Sequence, residues 1–143
     1  MAASKALLVP VDFSPVSEAA LRHATRLARK KKGRLVIVHV LPSPAIFPAE
    51  DGFVDYYDIL TKDAETGMKR LARRLRLKPR DFRWILLRAS DTGLAIARQA
   101  KKSRASMIVM GSRGRTGLQR FMLGSVAERT LRYAGCPVLI VKR

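Results

Sequence analysis

Chemistry concentrates between Met110 and Val126, where the chain reads Met-Gly-Ser-Arg-Gly-Arg-Thr-Gly-Leu-Gln-Arg-Phe-Met-Leu-Gly-Ser-Val. Gly111 and Gly114 directly follow an apolar run, and Gly124-Ser125 opens a helical pattern. Glycine tolerates positive φ and lets backbone N–H groups approach a ligand closely. The first turn of a helix starting at Ser125 offers unpaired N–H donors and a partial positive charge, which together suit a phosphate. Ser125 can donate its hydroxyl to a phosphate oxygen, and Arg113 or Arg115 can add charge-assisted contacts. The segment lacks the Gly-Lys-Ser/Thr of a Walker A loop and the Gly-x-Gly-x-x-Gly of a dinucleotide loop. On spacing alone, a strand-to-helix loop that uses glycine only to turn tightly remains the alternative.

Other reactive side chains are sparse. His23 and His39 have no partner at catalytic or metal-binding spacing and read as structural. Cys136 stands alone before Pro137, which excludes an internal disulfide and a cysteine metal cluster. It reads as a small buried or edge residue rather than a nucleophile. Phe82 and Trp84 read as core. The acidic cluster Glu50–Glu65 reads as a solvated loop and helix start, with a lid over a ligand as the sharper alternative.

The elements that must position the glycine segment alternate. Ala6–Val11 is a short apolar run ended by Asp12-Phe-Ser-Pro15, a buried strand entering a turn. Ser14 is a helix cap, with Pro15 at the first helical position and Glu18 behind it. Val16, Ala20, Ala24, Leu27 and Ala28 form one face of a helix ending near Lys32. Leu35–Leu41 is a strand covered on both faces, and Pro42, Pro44 and Pro48 mark a loop. A helix from Phe53 to Leu77, a strand at Phe82–Leu87, a helix from Asp91 to Arg104 and a strand at Ser106–Met110 follow. A last helix turns Val126, Ala127, Thr130, Leu131 and Ala134 inward, and a strand at Pro137–Val141 ends the chain. This alternation predicts an α/β domain, a parallel sheet with helices on both faces. Ligands in such sheets bind beyond the carboxyl ends of the strands, which points to Pro10–Asp12, Val40 and Met110–Gly114.

The chain has 143 residues, enough for one domain over 1–143, and 48% hydrophobic residues, too many for a disordered basic tail. No apolar run is long enough to span a membrane, and the N-terminus carries no apolar signal core, so a cytoplasmic protein is expected. The formal net charge is +18, and its placement is uneven. Residues 1–65 carry 9 basic and 8 acidic side chains, whereas residues 66–143 carry 20 and 3. Such a balance suits an anionic partner, nucleic acid among them, although most of these side chains are expected on solvated helix faces. No 20–50-residue repeat occurs.

The spacing Gly111-x-x-Gly114, nine residues, Gly124-Ser125 resembles the glycine signature of the ATP-binding branch of the universal stress protein family. Further blocks match in order: Leu8-Val-Pro-Val-Asp12-Phe-Ser, His39-Val40, Met107 to Gly114 and Cys136 to Lys142. The resemblance implies a Rossmann-like open five-stranded parallel sheet of order 3-2-1-4-5 and a homodimer through the last strand, Val138–Val141. It implies that Pro10, Val11 and Asp12 flank adenosine, with Asp12 near the ribose hydroxyls or a phosphate-bound Mg²⁺. Val40 then meets adenine, Met110 and Gly111 the ribose, and Arg113, Gly114, Gly124, Ser125 and Val126 the phosphates. Two positions depart from the family pattern, Arg88 and Ser90 after the third strand, and Ser106 stands where an aspartate is frequent. Arg88 either crowds the pocket or adds a phosphate contact.

The reading that follows is a cytoplasmic stress-response regulator that binds ATP, ADP or AMP. No general base accompanies the phosphate loop, so hydrolysis is slow at most. The alternatives are a polyanion-binding module built on the basic C-terminal half, and a nucleotide-independent dimeric interaction protein of the same fold. Against the former, no basic run is interleaved with aromatic residues.

Overall fold

Apolar runs of five to nine residues with no polar alternation need cover on both sides, and the fold supplies it. The computed structural model describes residues 5–43, 52–114 and 122–143, with side chains from residue 56 onward in the second of these stretches. Five strands, β1 (Ala6–Pro10), β2 (Arg34–Pro42), β3 (Phe82–Ala89), β4 (Met107–Gly111) and β5 (Val138–Val141), form one sheet of order β3-β2-β1-β4-β5. Every pairing is parallel. Among the described residues four α-helices, α1 (Pro15–Lys31), α2 (Gly52–Arg74), α3 (Thr92–Lys102) and α4 (Ser125–Tyr133), connect them. The expected sheet order and two-faced helix cover are both present.

Strand side chains alternate between two cores, as the pleat requires. Leu7, Val9, Leu35, Ile37 and Val109 face α1 and α2, where Ala20, Leu21, Ala24, Met68 and Leu71 cover them. Leu8, Val36, Val38, Ile108 and Met110 face the other way, toward Ile96 and Ala100 of α3 and Ala127 of α4. Phe82 and Trp84 pack against the first core and Cys136 against the second, as expected.

Two local expectations are corrected. α2 ends at Arg74, not Leu77, because Arg76 turns left-handed at φ 52°. Leu75 and Leu77 nevertheless remain buried, carried inward by the turn. In α4, Ala127 and Thr130 face the sheet, but Val126 and Leu131 are 37% and 43% exposed. Val126 sits in the first turn above the sheet's rim, and Leu131 falls on the outer side of the 127–130–134 stripe. Pro44, Pro48, Glu50 and Asp51, with the side chain of Asp55, lie outside the described residues, as does Arg115.

Candidate functional site

The strand order reverses between β1 and β4, so their onward connections leave in opposite directions and open a crevice at the carboxyl edge. That crevice is a cavity of about 540 Å³, within the usual range for small-molecule sites. Its lining includes all eleven candidate residues: Pro10, Val11, Asp12, Val40, Met110, Gly111, Arg113, Gly114, Gly124, Ser125 and Val126.

One wall comes from β1 and its turn. The Ser14 N–H donates to Asp12 Oδ1 at 3.0 Å, and the Asp12 N–H donates to Ser17 Oγ at 3.3 Å. Ser14 Oγ in turn caps α1 by accepting from Ser17 N at 3.2 Å. These bonds fix the Asp12 carboxylate at the mouth. Phe13 follows at φ 65°, a costly conformation for an aromatic residue, held by packing on His39 with ring centroids 4.9 Å apart. His39 Nδ1–H donates to the Val11 carbonyl at 2.7 Å, tying β2 to β1 at the pocket floor. His39 is structural, as read, yet it also lines the cavity.

The opposite wall is the glycine segment. Close packing, not positive φ, explains Gly111, Gly114 and Gly124, since none of the three lies in the left-handed region. A Cβ on Gly114 would stand 2.6 Å from Asp12 Oδ2, so glycine lets the loop lie against the carboxylate. A Cβ on Gly111 would meet Val16 Cγ1 at 2.7 Å, and one on Gly124 would press on the backbone of Arg113 at 3.2 Å. The Gly124 N–H donates to the Ser112 carbonyl at 2.7 Å, clasping the loop's two ends. Helix α4 then begins at Ser125 with no side-chain cap on its first N–H groups. Arg113 lines the cavity while its Nη2 donates to the Arg143 carbonyl at 3.2 Å.

Helix α3 fixes where α4 stands, which the sequence reading overlooked. Asp91 caps α3 by accepting from Leu94 N at 3.1 Å and also accepts from Arg129 Nε at 3.1 Å, with a second contact from Arg129 Nη2. These bonds, from Arg129 first and then Leu94 N–H, hold the Asp91 carboxyl below its ordinary value of 3.8. Gly93 allows the close crossing, since a Cβ there would lie 2.5 Å from Arg129 Cβ. An aspartate cap followed two residues later by glycine is the signal that could have revealed this. Thr92 and Ile96, from the same helix, join the cavity lining.

Arg88 neither crowds the pocket nor reaches it: its guanidinium lies 4.3 Å over the Tyr57 ring. Ser90 borders an adjacent hollow shared with Ser125 and Val126. The Cys136 thiol is pushed up by burial, consistent with an unreactive residue. Among the described residues no group of three or more His, Cys, Asp or Glu side chains could hold a metal ion. No helix among the described residues is long and apolar enough to cross a membrane.

The chain matches the universal stress protein family over residues 4–142. It is 33% identical to the universal stress protein MJ0531 of Methanocaldococcus jannaschii, across 97% of this chain and 82% of that protein. Among solved structures, the protein MJ0577 superposes with a TM-score of 0.86 at 29% identity, covering 99% and 98% of the two chains. A universal stress protein from Archaeoglobus fulgidus solved in complex with dAMP gives 0.69 at 25% identity, covering 99% and 100%. This chain belongs to the universal stress protein family.

Proposed function

We propose that the carboxyl-edge cavity binds an adenine nucleotide, ATP, ADP or AMP, and that the protein is a cytoplasmic, nucleotide-dependent stress-response regulator acting as one domain. The observation that carries this is the cradle between Gly114 and the uncapped start of α4. Gly114, Gly124, Ser125 and Val126 line the cavity, and a Cβ at Gly114 would press on Asp12, which lines it too. Phosphates sit there, favoured by the helix N-terminus, with Ser125 donating a hydroxyl and Arg113 adding charge. The apolar residues Pro10, Val11, Val40 and Met110 take the adenosine end, with Asp12 turned to ribose hydroxyls or to Mg²⁺ held on the phosphates. The A. fulgidus relative in complex with dAMP supports this ligand class. Among the described residues no side chain at the phosphate end other than Asp12, turned to ribose hydroxyls or Mg²⁺, could act as a general base, so hydrolysis is slow at most.

Thermal melting with each nucleotide, with and without Mg²⁺, tests the reading. Ligand at ~100 Kd adds about 2.7 kcal/mol, which lifts Tm by roughly 5–10 °C at this size. No shift with any of the three sinks nucleotide binding and leaves the nucleotide-independent interaction protein as the reading.

The dimer is proposed through β5. Carbonyls of Pro137 and Val141 bond to β4, accepting from Ile108 N and Ser112 N at 2.9 and 3.0 Å. Val138 and Ile140, one residue out of phase, thus direct their backbone groups to the open edge, where a second copy can pair. Ile140→Pro should leave the fold intact and convert dimer to monomer in sedimentation; an unchanged dimer refutes the edge pairing.

A further inference from the structure

Helices α1, α2 and α3 end alike. The Lys32 N–H donates to Arg29 O at 3.3 Å and the Gly33 N–H to Ala28 O at 2.8 Å. Arg76 and Leu77 repeat the pattern onto Arg73 and Ala72 at 3.1 and 2.8 Å, and Arg104 and Ala105 repeat it onto Lys101 and Ala100 at 3.1 and 2.9 Å. This double closure requires a left-handed residue, and glycine is its usual occupant because a Cβ is disfavoured there. Here that residue is Lys32, Arg76 or Arg104, at φ 50°, 52° and 51°. Gly33, directly after Lys32, serves closeness instead, since a Cβ there would collide with the Lys5 carbonyl oxygen.

All three turns lie at the amino edge of the sheet, opposite the cavity, and the strand starts add more charge. The Arg34 N–H donates to Lys5 O, and the pairing of Leu35 with Phe82 sets Arg34 beside the Arg80–Asp81 turn. The Ser106 N–H donates to Ala6 O, which brings Arg104 alongside. At the ~4.8 Å spacing of strands, cations at the starts of four neighbouring strands form a row about 15 Å long. Lys5, Lys32, Arg34, Arg76, Arg80 and Arg104 are all exposed, and none joins an ion pair among the described residues. The described carboxylate in these turns, Asp81, accepts from the backbone N–H of Lys78. Helix dipoles favour cations in last turns but not at Lys5, Arg34 or Arg80, which lead into strands. Such a row repels itself unless an anion meets it.

We propose that this amino edge is a second binding site, separate from the nucleotide cavity, for the phosphodiester backbone of a nucleic acid. A row of exposed cations matches a linear polyanion. No exposed large apolar side chain among the described residues lies in the connections leading into β1, β2, β3 and β4. Among the described residues there, no aromatic or large apolar side chain is exposed to stack on bases or anchor in lipid, so binding is independent of sequence.

The test is fluorescence anisotropy of the full chain with a labelled DNA duplex of about 24 base pairs and an RNA strand of equal length. If about five phosphates are engaged, affinity for the duplex falls about 500-fold when salt rises fourfold. The triple variant Lys32→Gly, Arg76→Gly, Arg104→Gly should shrink that salt dependence to about 10-fold and weaken binding at low salt, while Tm holds or rises. Arg22→Gln with Arg26→Gln, on the outer face of α1, should leave the slope unchanged. Nucleotide-induced melting shifts should survive in both variants, so failure here is distinguishable from failure of the cavity assignment. No binding to either nucleic acid at low salt, an unaltered slope in the triple variant, or binding only to phosphatidylserine vesicles would each overturn the proposal.

Discussion

The two edges of the sheet solve their backbone problems in opposite ways. At the carboxyl edge, glycines 111, 114 and 124 occupy places where a Cβ would meet Val16, Asp12 or Arg113, and none is left-handed. At the amino edge, three left-handed turns that would suit glycine carry lysine or arginine instead. Glycine is therefore placed for closeness at the carboxyl edge, as Gly33 also is against Lys5 at the amino edge, whereas the left-handed positions of the amino edge carry charge despite conformation. The difference teaches that net charge and ligand site need not coincide: of the 29 basic side chains, Arg113 is the one lining the cavity among the described residues.

Breaking the closeness should have the largest effect. Gly114→Asp puts a Cβ against Asp12 and a second carboxylate into the phosphate space, and should reduce ATP affinity at least about 100-fold, close to 2.7 kcal/mol. Calorimetric titration checks this, and unimpaired affinity would displace the phosphates from this loop. Next comes Gly111→Ala, where the new methyl meets Val16 and forces a shift costing about 1–3 kcal/mol, read as a lower urea midpoint. At the other edge, Lys32→Gly should change stability by no more than about 0.5 kcal/mol, because relief of the left-handed strain offsets glycine's greater unfolded-state freedom. A loss as large as that of Gly111→Ala would erase the contrast between the edges.

The smallest effect concerns pH. The folded-state depression of the Asp91 carboxyl contributes stability above the ordinary value of 3.8, and that contribution is lost as pH falls below it through the folded value. Asp91→Asn should flatten that part of the acid unfolding curve and leave its neutral portion nearly parallel to the native protein's. An unchanged acid limb would show that the Arg129 contact does not stabilise the ionised Asp91 carboxyl in the folded state.

The alternation of strands and helices and the carboxyl-edge stretches Pro10–Asp12, Val40 and Met110–Gly114 could be read from residues because local signals and the global fold agree there. The strand order, by contrast, was implied by the family resemblance. Apolar runs at Ala6–Val11 and Leu35–Leu41, short and bounded by turn residues, read as strands covered twice, and Gly111 and Gly114 directly after an apolar run place a loop at a strand's carboxyl end. The role of Gly93 was hidden because it acts through Arg129, 36 positions away, and such a contact leaves no local pattern. The three basic turns were hidden for another reason: lysine and arginine at a helix end look like ordinary solvated charge until φ is known. Leu131 was misplaced because a nine-residue helix gives little length from which to fix the phase of its buried stripe.

Amide chemical-shift mapping during an ATP titration, at salt high enough to suppress weak anion binding, tests nucleotide recognition at the carboxyl edge most directly. The expected result is saturable shifts centred on Gly111, Gly114, Gly124, Ser125 and Val126, with Asp12 and Val40 moving at the adenosine end. Shifts confined to Lys32, Arg34, Arg76 and Arg104, or none at all, would contradict it.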